Sequence, residues 1–409
     1  MDSGRVMIVT HRLYYDEVYL KEFDATVLEV RPGKDGYEVR LDRSAFYPTS
    51  GGQPYDTGVL GGRQIRDVYV DDDLEVWHVV DGPLTVGEAV HGQIDWARRF
   101  DHMQQHAGEH MLASAAWRLL GGTVNGLHLG AEVTTIDVLL PDGSMRVDED
   151  VIRQLEDDVN EKIQRDVPIR QWFPAPEELA VLPLRKAPTV KEHVRVVQIG
   201  EVEYVACGGT HPSSAGQIGL LKIVDARPSR GRMRLTFLCG GRAYADYRKR
   251  MDVMNRAARA LSSGWETLDE SVESLKARLH AAERAVAEAR AAQARQRLDA
   301  LETAEVGGWQ IRAGDVGAVD AVTLKELALA GIDTPHTVWL LEAVGGQTTY
   351  LAFAAAEGCP WSMGRLLSEA AKAHGGKGGG RPDYAQGSCS GAGAAADALR
   401  SIRGSEQRA

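Results

Sequence analysis

The chain has 409 residues, 44% hydrophobic and 26% charged, with a formal net charge of -11. That length exceeds one ordinary core and calls for two or three domains, and the composition excludes a disordered protein. No 18-residue apolar run offers a transmembrane helix, the N-terminal stretch lacks the apolar core of a secretory signal, and the scattered Cys207, Cys239, Cys359 and Cys389 argue against a disulfide scaffold. A reducing, cytoplasmic setting without membrane partners is therefore expected.

Residues 1–95 alternate apolar and polar positions in short runs such as DATVLEV, YEVRL and EVWHVV, separated by PGKDG, GG and DGP. This pattern predicts a small antiparallel β unit, barrel-like in closure. From Asp95 the period becomes helical. Asp95 reads as an N-cap, Phe100, Met103, Ala107 and Met111 share a face, and Gly121-Gly122 supplies the stop. A second helix is expected over about 150–165, followed by strand-like VRVVQIG, VEYVA, IGLLKIV and MRLTFL, so 96–241 reads as an α+β domain.

Residues 242–302 are rich in Ala, Arg, Glu and Leu. Leu268, Val272, Leu275, Leu279, Ala282, Val286 and Ala289 step by fours and threes, which is a heptad seam. One continuous helix here would span on the order of 80–90 Å, as a dimer-forming or spacer coiled coil or as a hairpin on its own domain. Residues 303–409 alternate β and α patterns and form the last domain. The overall class is α+β.

Two short motifs concentrate the chemistry. In His106-Ala-Gly-Glu-His110 the imidazoles stand four apart on one helical face and can reach a single ion. Taken alone the pair is weak, because His102 repeats the spacing. In Cys207-Gly-Gly-Thr-His211 the glycines allow a tight turn that lets a thiolate and an imidazole converge from a loop. Together the four make a Cys-His₃ set suited to one tetrahedral Zn²⁺ per chain. A rival reading takes H-x-x-E-H as a metallopeptidase motif with Glu109 as base. It requires a further carboxylate ligand and leaves CGGTH unexplained.

MQQHAGEHML (103–112) with CGGTH (207–211) resembles the editing domain of alanyl-tRNA synthetases and their free-standing AlaX relatives. AFYPTSGGQPYDTG (45–58) is similar to the Gly-rich loop of that family's N-terminal barrel, GLHLG (126–130) also fits, and GGKGGGRPDYAQG (375–387) resembles the DHH-associated C-terminal domain. The resemblance covers nearly the whole chain, leaves no room for an activation domain, and points to the long AlaX type. It divides the chain into an N-terminal barrel (1–95), a zinc-binding editing domain (96–241), a helical linker (242–302) and a C-terminal tRNA-binding or dimerisation domain (303–409).

The activity the resemblance implies is hydrolysis of the ester in tRNA(Ala) misacylated with serine, chiefly, or glycine. His106, His110, Cys207 and His211 match the zinc positions, and Cys207 and His211 are the candidates to yield a place to water. The substrate-binding candidates are Ser44, Gly51, Gly52, Gln53 and Thr210, with Ser44 and Gln53 expected to sense the serine hydroxyl. Such a second site is needed because an alanine pocket rejects serine or glycine by only a few kcal/mol. Ala107 and Ser44 depart from the family, which has Thr or Ser at the first position and Thr at the second. A non-catalytic, zinc-stabilised tRNA-binding factor is the alternative from another class.

The acidic sum hides a basic stretch. Between Lys222 and Arg250 nine basic residues face only Asp225 and Asp246. Arg230, Arg232 and Arg234, with Lys377 and Arg381 at the Gly-rich segment, are the candidates for tRNA phosphates. The glycines at 375–380 fit neither phosphate-loop template but are expected to bring backbone N–H groups near RNA. A homodimer through the long helix or the C-terminal domain is also expected.

Overall fold

A computed structural model describes residues 9–188, 190 and 192–406 of the chain. It divides into two compact units, Met1–Asn255 and Arg256–Ala409. Both are mixtures of helices and sheets.

The first unit begins with a closed six-stranded barrel. Its strands are β1 (Glu22–Gly33), β2 (Gly36–Leu41), β3 (Gly58–Leu60), β4 (Arg63–Val70), β5 (Val76–Val80) and β6 (Ala89–Ile94), closing in the order β1-β2-β5-β4-β3-β6. The alternation explains the closure: Phe23, Ala25 and Val27 of β1 point inward with Val39, Leu41, Leu60, Val68 and Val80, while their neighbours face solvent. Closing the sheet removes its exposed edges.

Helix α1 (Trp96–Leu120) leaves the barrel. The Asp95 side chain accepts a hydrogen bond from Arg98 N–H, and Gly121, at φ +63°, ends the helix by donating to Ala116 and Trp117 carbonyls. Unlike an amphipathic surface helix, α1 is buried on nearly every side between Arg99 and Ala116. Arg99 is locked to Asp56 in a fully buried ion pair and donates to the Ala45 carbonyl, so the helix is tied to the barrel loop. On another face Gly108 lets the Cys239 thiol approach; a Cβ there would stand 2.3 Å from that sulfur.

Behind α1 lie strands β7 (Thr123–Leu129) and β8 (Thr134–Leu139), helix α2 (Glu149–Gln164), and strands β9 (Ile169–Trp172), β10 (Val196–Ile199), β11 (Glu203–Ala206), β12 (Leu221–Ser229) and β13 (Arg232–Cys239). They make a four-stranded antiparallel sheet β12-β13-β8-β7 and a three-stranded one, β9-β10-β11. Ala107, Met111, Ile136, Leu155, Val159, Leu235 and Phe237 share its core. Ala107 is therefore packing material, and no side-chain hydroxyl reaches out from that position.

The helix expected over 242–302 is two helices, α3 (Gly240–Ala260) and α4 (Leu268–Arg297). Ser262 adopts φ +52° and a short 3₁₀ turn at Trp265–Thr267 follows, which interrupts the ladder. At 1.5 Å per residue α4 is about 45 Å long rather than about 80–90 Å. Its seam residues Val272, Leu275, Leu279 and Val286 are exposed, and of the helix only Ala294 is buried.

The second unit carries a six-stranded sheet, with strands β14 (Glu302–Val306), β15 (Trp309–Asp315), β16 (Thr337–Gly345), β17 (Thr348–Ala355), β18 (Lys377–Gly380) and β19 (Tyr384–Cys389) in the order β14-β15-β16-β17-β19-β18. Helices α5 (Ala321–Ala330), α6 (Met363–Ala373) and α7 (Ala394–Glu406) pack on it. The Gly-rich segment is an edge strand here, not a loop. A Cβ on Gly378 would stand 2.3 Å from Leu367 of α6, and one on Gly364 of α6 would stand 2.5 Å from the Gly380 carbonyl. These glycines bring helix and strand together, a packing reason for their presence.

Candidate metal centre and its cavity

The sequence pairs converge. His106 and His110 project from one face of α1, and Cys207 and His211 come from the loop after β11. All four ligand atoms lie within 4.8 Å of one another, with Cys207 Sγ 3.4 Å from His106 Nε2 and 3.7 Å from His211 Nε2. In a tetrahedral shell with metal bonds of about 2.0–2.3 Å, neighbouring donors stand roughly 3.3–3.8 Å apart. Gly209 is required for this approach: a Cβ there would stand 2.2 Å from the His106 ring.

The donor set fits a metal on a second count. His110 is buried, and neither of its ring nitrogens has a hydrogen-bond partner. Nδ1 lies 2.9 Å from a Glu109 carboxylate oxygen, but without the alignment of a hydrogen bond. Leaving such a group unpaired costs on the order of 1–3 kcal/mol, which a cation at Nε2 removes. No carboxylate joins the four among the described residues. The peptidase reading, which needs one, lacks its ligand.

A support layer orients the ligands. Gln53 Oε1 accepts from His106 Nδ1 at 2.9 Å, which leaves Nε2 free to face the cluster. The same oxygen accepts from Thr210 N–H at 3.2 Å, and Gln53 Nε2 donates to Thr210 Oγ1 at 2.8 Å. His211 Nδ1 donates to Gln171 Oε1 at 3.2 Å, and Arg195 holds that oxygen at 2.6 Å while also donating to the Gly209 carbonyl at 2.8 Å.

Electrostatics follow from burial and crowding. Burial pushes the Cys207 thiol up, but His106, His211 and His110 together hold it well below the usual thiol range. Burial pulls His110 down; Glu109 and Cys207 overcome this and raise it to about 10. Burial dominates for His211 and lowers it to about 3.

The cluster lies at a cavity of about 780 Å³, into which His106, His110 and Cys207 open. Tyr15, Tyr47, Ser50, Gly51, Phe173 and Arg195 also line it. Of the five sequence-predicted substrate contacts, Gly51 is on this wall. Gln53 and Thr210 are fully buried and spend their polar groups on each other and on His106. Gly52, at φ +88°, abuts the Leu127 carbonyl, where a Cβ would stand 2.7 Å away. Ser44 is apart from the cavity: its hydroxyl is 2.7 Å from His78 Nε2 and accepts from Phe46 N–H, inside the barrel. Sequence reasoning missed Gln171, Arg195, Tyr15 and Phe173. Of these Arg195 carried a faint signal, a lone charge flanked by the valines of VRVVQI.

The basic stretch is quieter than its sequence. Arg234 is forked onto Asp137 at 2.7 and 2.8 Å, Arg242 is bound to Asp101 at 2.6 Å, and Lys222 meets Glu156 at 2.7 Å. Arg227 and Arg250 take the local Asp225 and Asp246. Arg230 and Arg232 flank the tip of the β12–β13 hairpin. Lys377 is on the edge strand, and Arg381 pairs with Asp383 at 3.2 Å. No helix among the described residues is long and apolar enough to cross a membrane.

Residues 194–235 match the family described as the threonyl and alanyl tRNA synthetase second additional domain. The chain is 33% identical over 401 residues to the alanyl-tRNA editing protein AlaX-L of Pyrococcus horikoshii, covering 93% of this chain and 94% of that one. It is 31% identical over 406 residues to the alanine–tRNA ligase of Pyrococcus abyssi, of which it spans only 43%. Among solved structures, the C-Ala domain from Aquifex aeolicus alanyl-tRNA synthetase aligns with 25% of this chain and 95% of its own, at 21% identity and a TM-score of 0.24.

Proposed function

Because the chain belongs to the family of alanyl-tRNA editing proteins, we propose that it is a deacylase acting in trans on misacylated tRNA(Ala) in the cytoplasm, chiefly seryl-tRNA(Ala) and secondarily glycyl-tRNA(Ala). The observation that carries this reading is the convergence of His106, His110, Cys207 and His211 at one cavity. We assign one Zn²⁺ per chain to the four. When bound, the ion would supply Lewis-acid polarisation for cleavage of the ester.

The chain's own residues divide the remaining work. His106 and His110 are held by a long buried helix, whereas Cys207 and His211 come from a glycine loop pinned by Arg195 and Gln53. Cys207 and His211 are the pair we assign to the reaction. Gln53 and Gln171 hold the Nδ1 protons of His106 and His211, so that both rings present Nε2. Arg195 fixes Gln171 and the loop carbonyls. Thr210 and Gln53 support the ligands, and the wall at Gly51 and Ser50 is left to meet the aminoacyl group.

Arg230 and Arg232 at the hairpin tip, with Arg234, Lys377 and Arg381, are assigned to tRNA phosphates. The exposed α4 seam supports a homodimer. The test is to incubate the protein with Ser-tRNA(Ala) and Ala-tRNA(Ala). Rapid loss of serine, slow loss of alanine and abolition by Cys207→Ala are expected. Equal persistence of both esters, with tRNA still bound, would leave a non-catalytic binding factor.

A further inference from the structure

Glu109 lies between two of the ligands in His106-Ala-Gly-Glu-His110 and is not itself one of the four donors. It is 5% exposed in the middle of α1. Glutamate is almost never buried to that degree unless it is paired, because an unpaired carboxylate is costly to take out of water. The cation whose charge reaches it is already committed: Arg185 gives its Nε to Glu203 at 2.8 Å, in a pair that is itself buried. Among the described residues, the ion-pair partner left to Glu109 is His110, with a carboxylate oxygen 2.9 Å from Nδ1. Adjacent residues on a helix do not face each other. The contact therefore reflects how the two side chains turn, and not their spacing.

The three ligand histidines meet the same requirement at Nδ1 in different ways. A neutral ring that gives Nε2 to a cation carries its proton on Nδ1, and that N–H needs an acceptor. His106 has Gln53 Oε1 at 2.9 Å, and His211 has Gln171 Oε1 at 3.2 Å. His110 has no such amide. Its Nδ1 is buried without a hydrogen-bond partner, and the Glu109 oxygen stands at bonding distance but off the axis of the N–H. The angle depends on how the ring is rotated, and coordination at the other nitrogen is what fixes a ring's rotation. The acceptor at hand is, moreover, a carboxylate, whose bond to an N–H is roughly twice as strong as that of a neutral amide.

We propose that Glu109 is the positioning residue of His110. Its carboxylate accepts from Nδ1–H, selects the tautomer that presents Nε2 to the other donors, and sets the orientation of the ring. The inference rests on the metal assignment made within the deacylase reading, but it concerns the ring and not the ester. A negative charge here also does what Gln53 and Gln171 cannot, because it offsets part of the positive charge that a divalent cation brings to a buried set holding a single thiolate. Glu109 acts through His110 and takes no part in bond cleavage.

The experiment measures zinc affinity of the full chain by competition with a chelator, for wild type, Glu109→Gln and Glu109→Ala. Glu109→Ala is expected to bind zinc about 10–100-fold more weakly. Glu109→Gln, which keeps an acceptor and loses the charge, is expected to fall between the two. Proton NMR of the zinc-loaded protein with isotope-labelled histidine supplies a signature that a merely structural role would not move. A ring N–H signal assigned to His110 should be present in wild type, shifted in Glu109→Gln and lost in Glu109→Ala. Melting of the zinc-stripped proteins separates a lost acceptor from a lost fold, and Glu109→Gln should melt as wild type does. Zinc affinity of Glu109→Ala within about twofold of wild type, or an unmoved His110 signal, overturns the inference even where serine is released normally. Because Glu109 also touches the cavity lining, unchanged zinc affinity with a fall in kcat would place it on the substrate, which overturns the inference as well. A wild type that takes up no zinc removes it together with the metal assignment. Zinc affinity that depends on Glu109, in a protein that releases no serine, keeps the positioning role and removes the deacylase.

Discussion

Two buried histidine environments in the first unit look alike in sequence and differ in kind. In the barrel, His78 donates from Nδ1 to the Val39 carbonyl at 3.1 Å and accepts the Ser44 hydroxyl on Nε2 at 2.7 Å, so both nitrogens are satisfied. At the cavity, His110 has neither nitrogen satisfied, while His106 and His211 give Nδ1 to a glutamine and turn Nε2 to the Cys207 sulfur at 3.4 and 3.7 Å. A satisfied histidine is part of the packing. Three buried imidazoles converging on one thiol are built for a cation, and without one the His110 nitrogens are a standing cost.

The sharpest way to break that contrast is Cys207→Ala. Loss of an outer partner of a metal ligand costs about 10–100-fold, so loss of this ligand should lower seryl-tRNA deacylation by more than roughly 100-fold; a smaller fall would argue that the thiol is dispensable. The barrel histidine answers to pH instead. Burial lowers His78 to about 4 from a usual 6.5, so between these values the unfolded chain binds a proton that the folded one refuses. Stability is full above about 6.5, falls as pH drops through the window and levels off below about 4, a loss on the order of 3 kcal/mol. Denaturant melts should show this slope diminished in His78→Gln; an unchanged slope would assign it elsewhere.

Gln53→Ala sharpens the comparison from the support side. It frees His106 Nδ1 and Thr210 together, and a loss of about 10–100-fold in metal affinity, read by competition with a chelator, is expected. Ser44→Ala should do the opposite, costing about 1–3 kcal/mol of stability by orphaning His78 while the ratio of serine to alanine release stays at its wild-type value. A collapse of that ratio would restore Ser44 as the serine sensor. The smallest effect is expected at the hairpin tip. Arg232→Ala should weaken tRNA binding modestly and flatten the log–log salt slope by about 1.

The motifs were legible because each brings two ligands in one local spacing, i and i+4 on a helix and i and i+4 across a glycine turn. Gln171 and Arg195 were not, since β9 and β10 bring them to His211 only through sheet pairing. The barrel was readable from its alternation. The helix break was not, because the heptad run after Leu268 outweighed the brief Ser262-Ser263-Gly264 signal. The strand at the Gly-rich segment was hidden for a physical reason: without side chains a strand shows no alternation, and its glycines answer to α6, which lies across it. The free charge of the basic stretch was not legible, because three of its cations find carboxylates at Asp101, Asp137 and Glu156, far away in sequence.

The central claim is that imidazoles converging on one thiol, and not buried or orphaned histidines as such, mark the metal centre; His102, whose Nδ1 is also buried without a partner, stands outside the set. Metal content per chain tests it most directly, measured by plasma mass spectrometry on wild type, His110→Ala and His78→Gln. About one zinc in wild type and in His78→Gln, with close to none in His110→Ala, is the expected result. Near-zero zinc in a wild-type preparation that releases serine, or full zinc in His110→Ala, would contradict it.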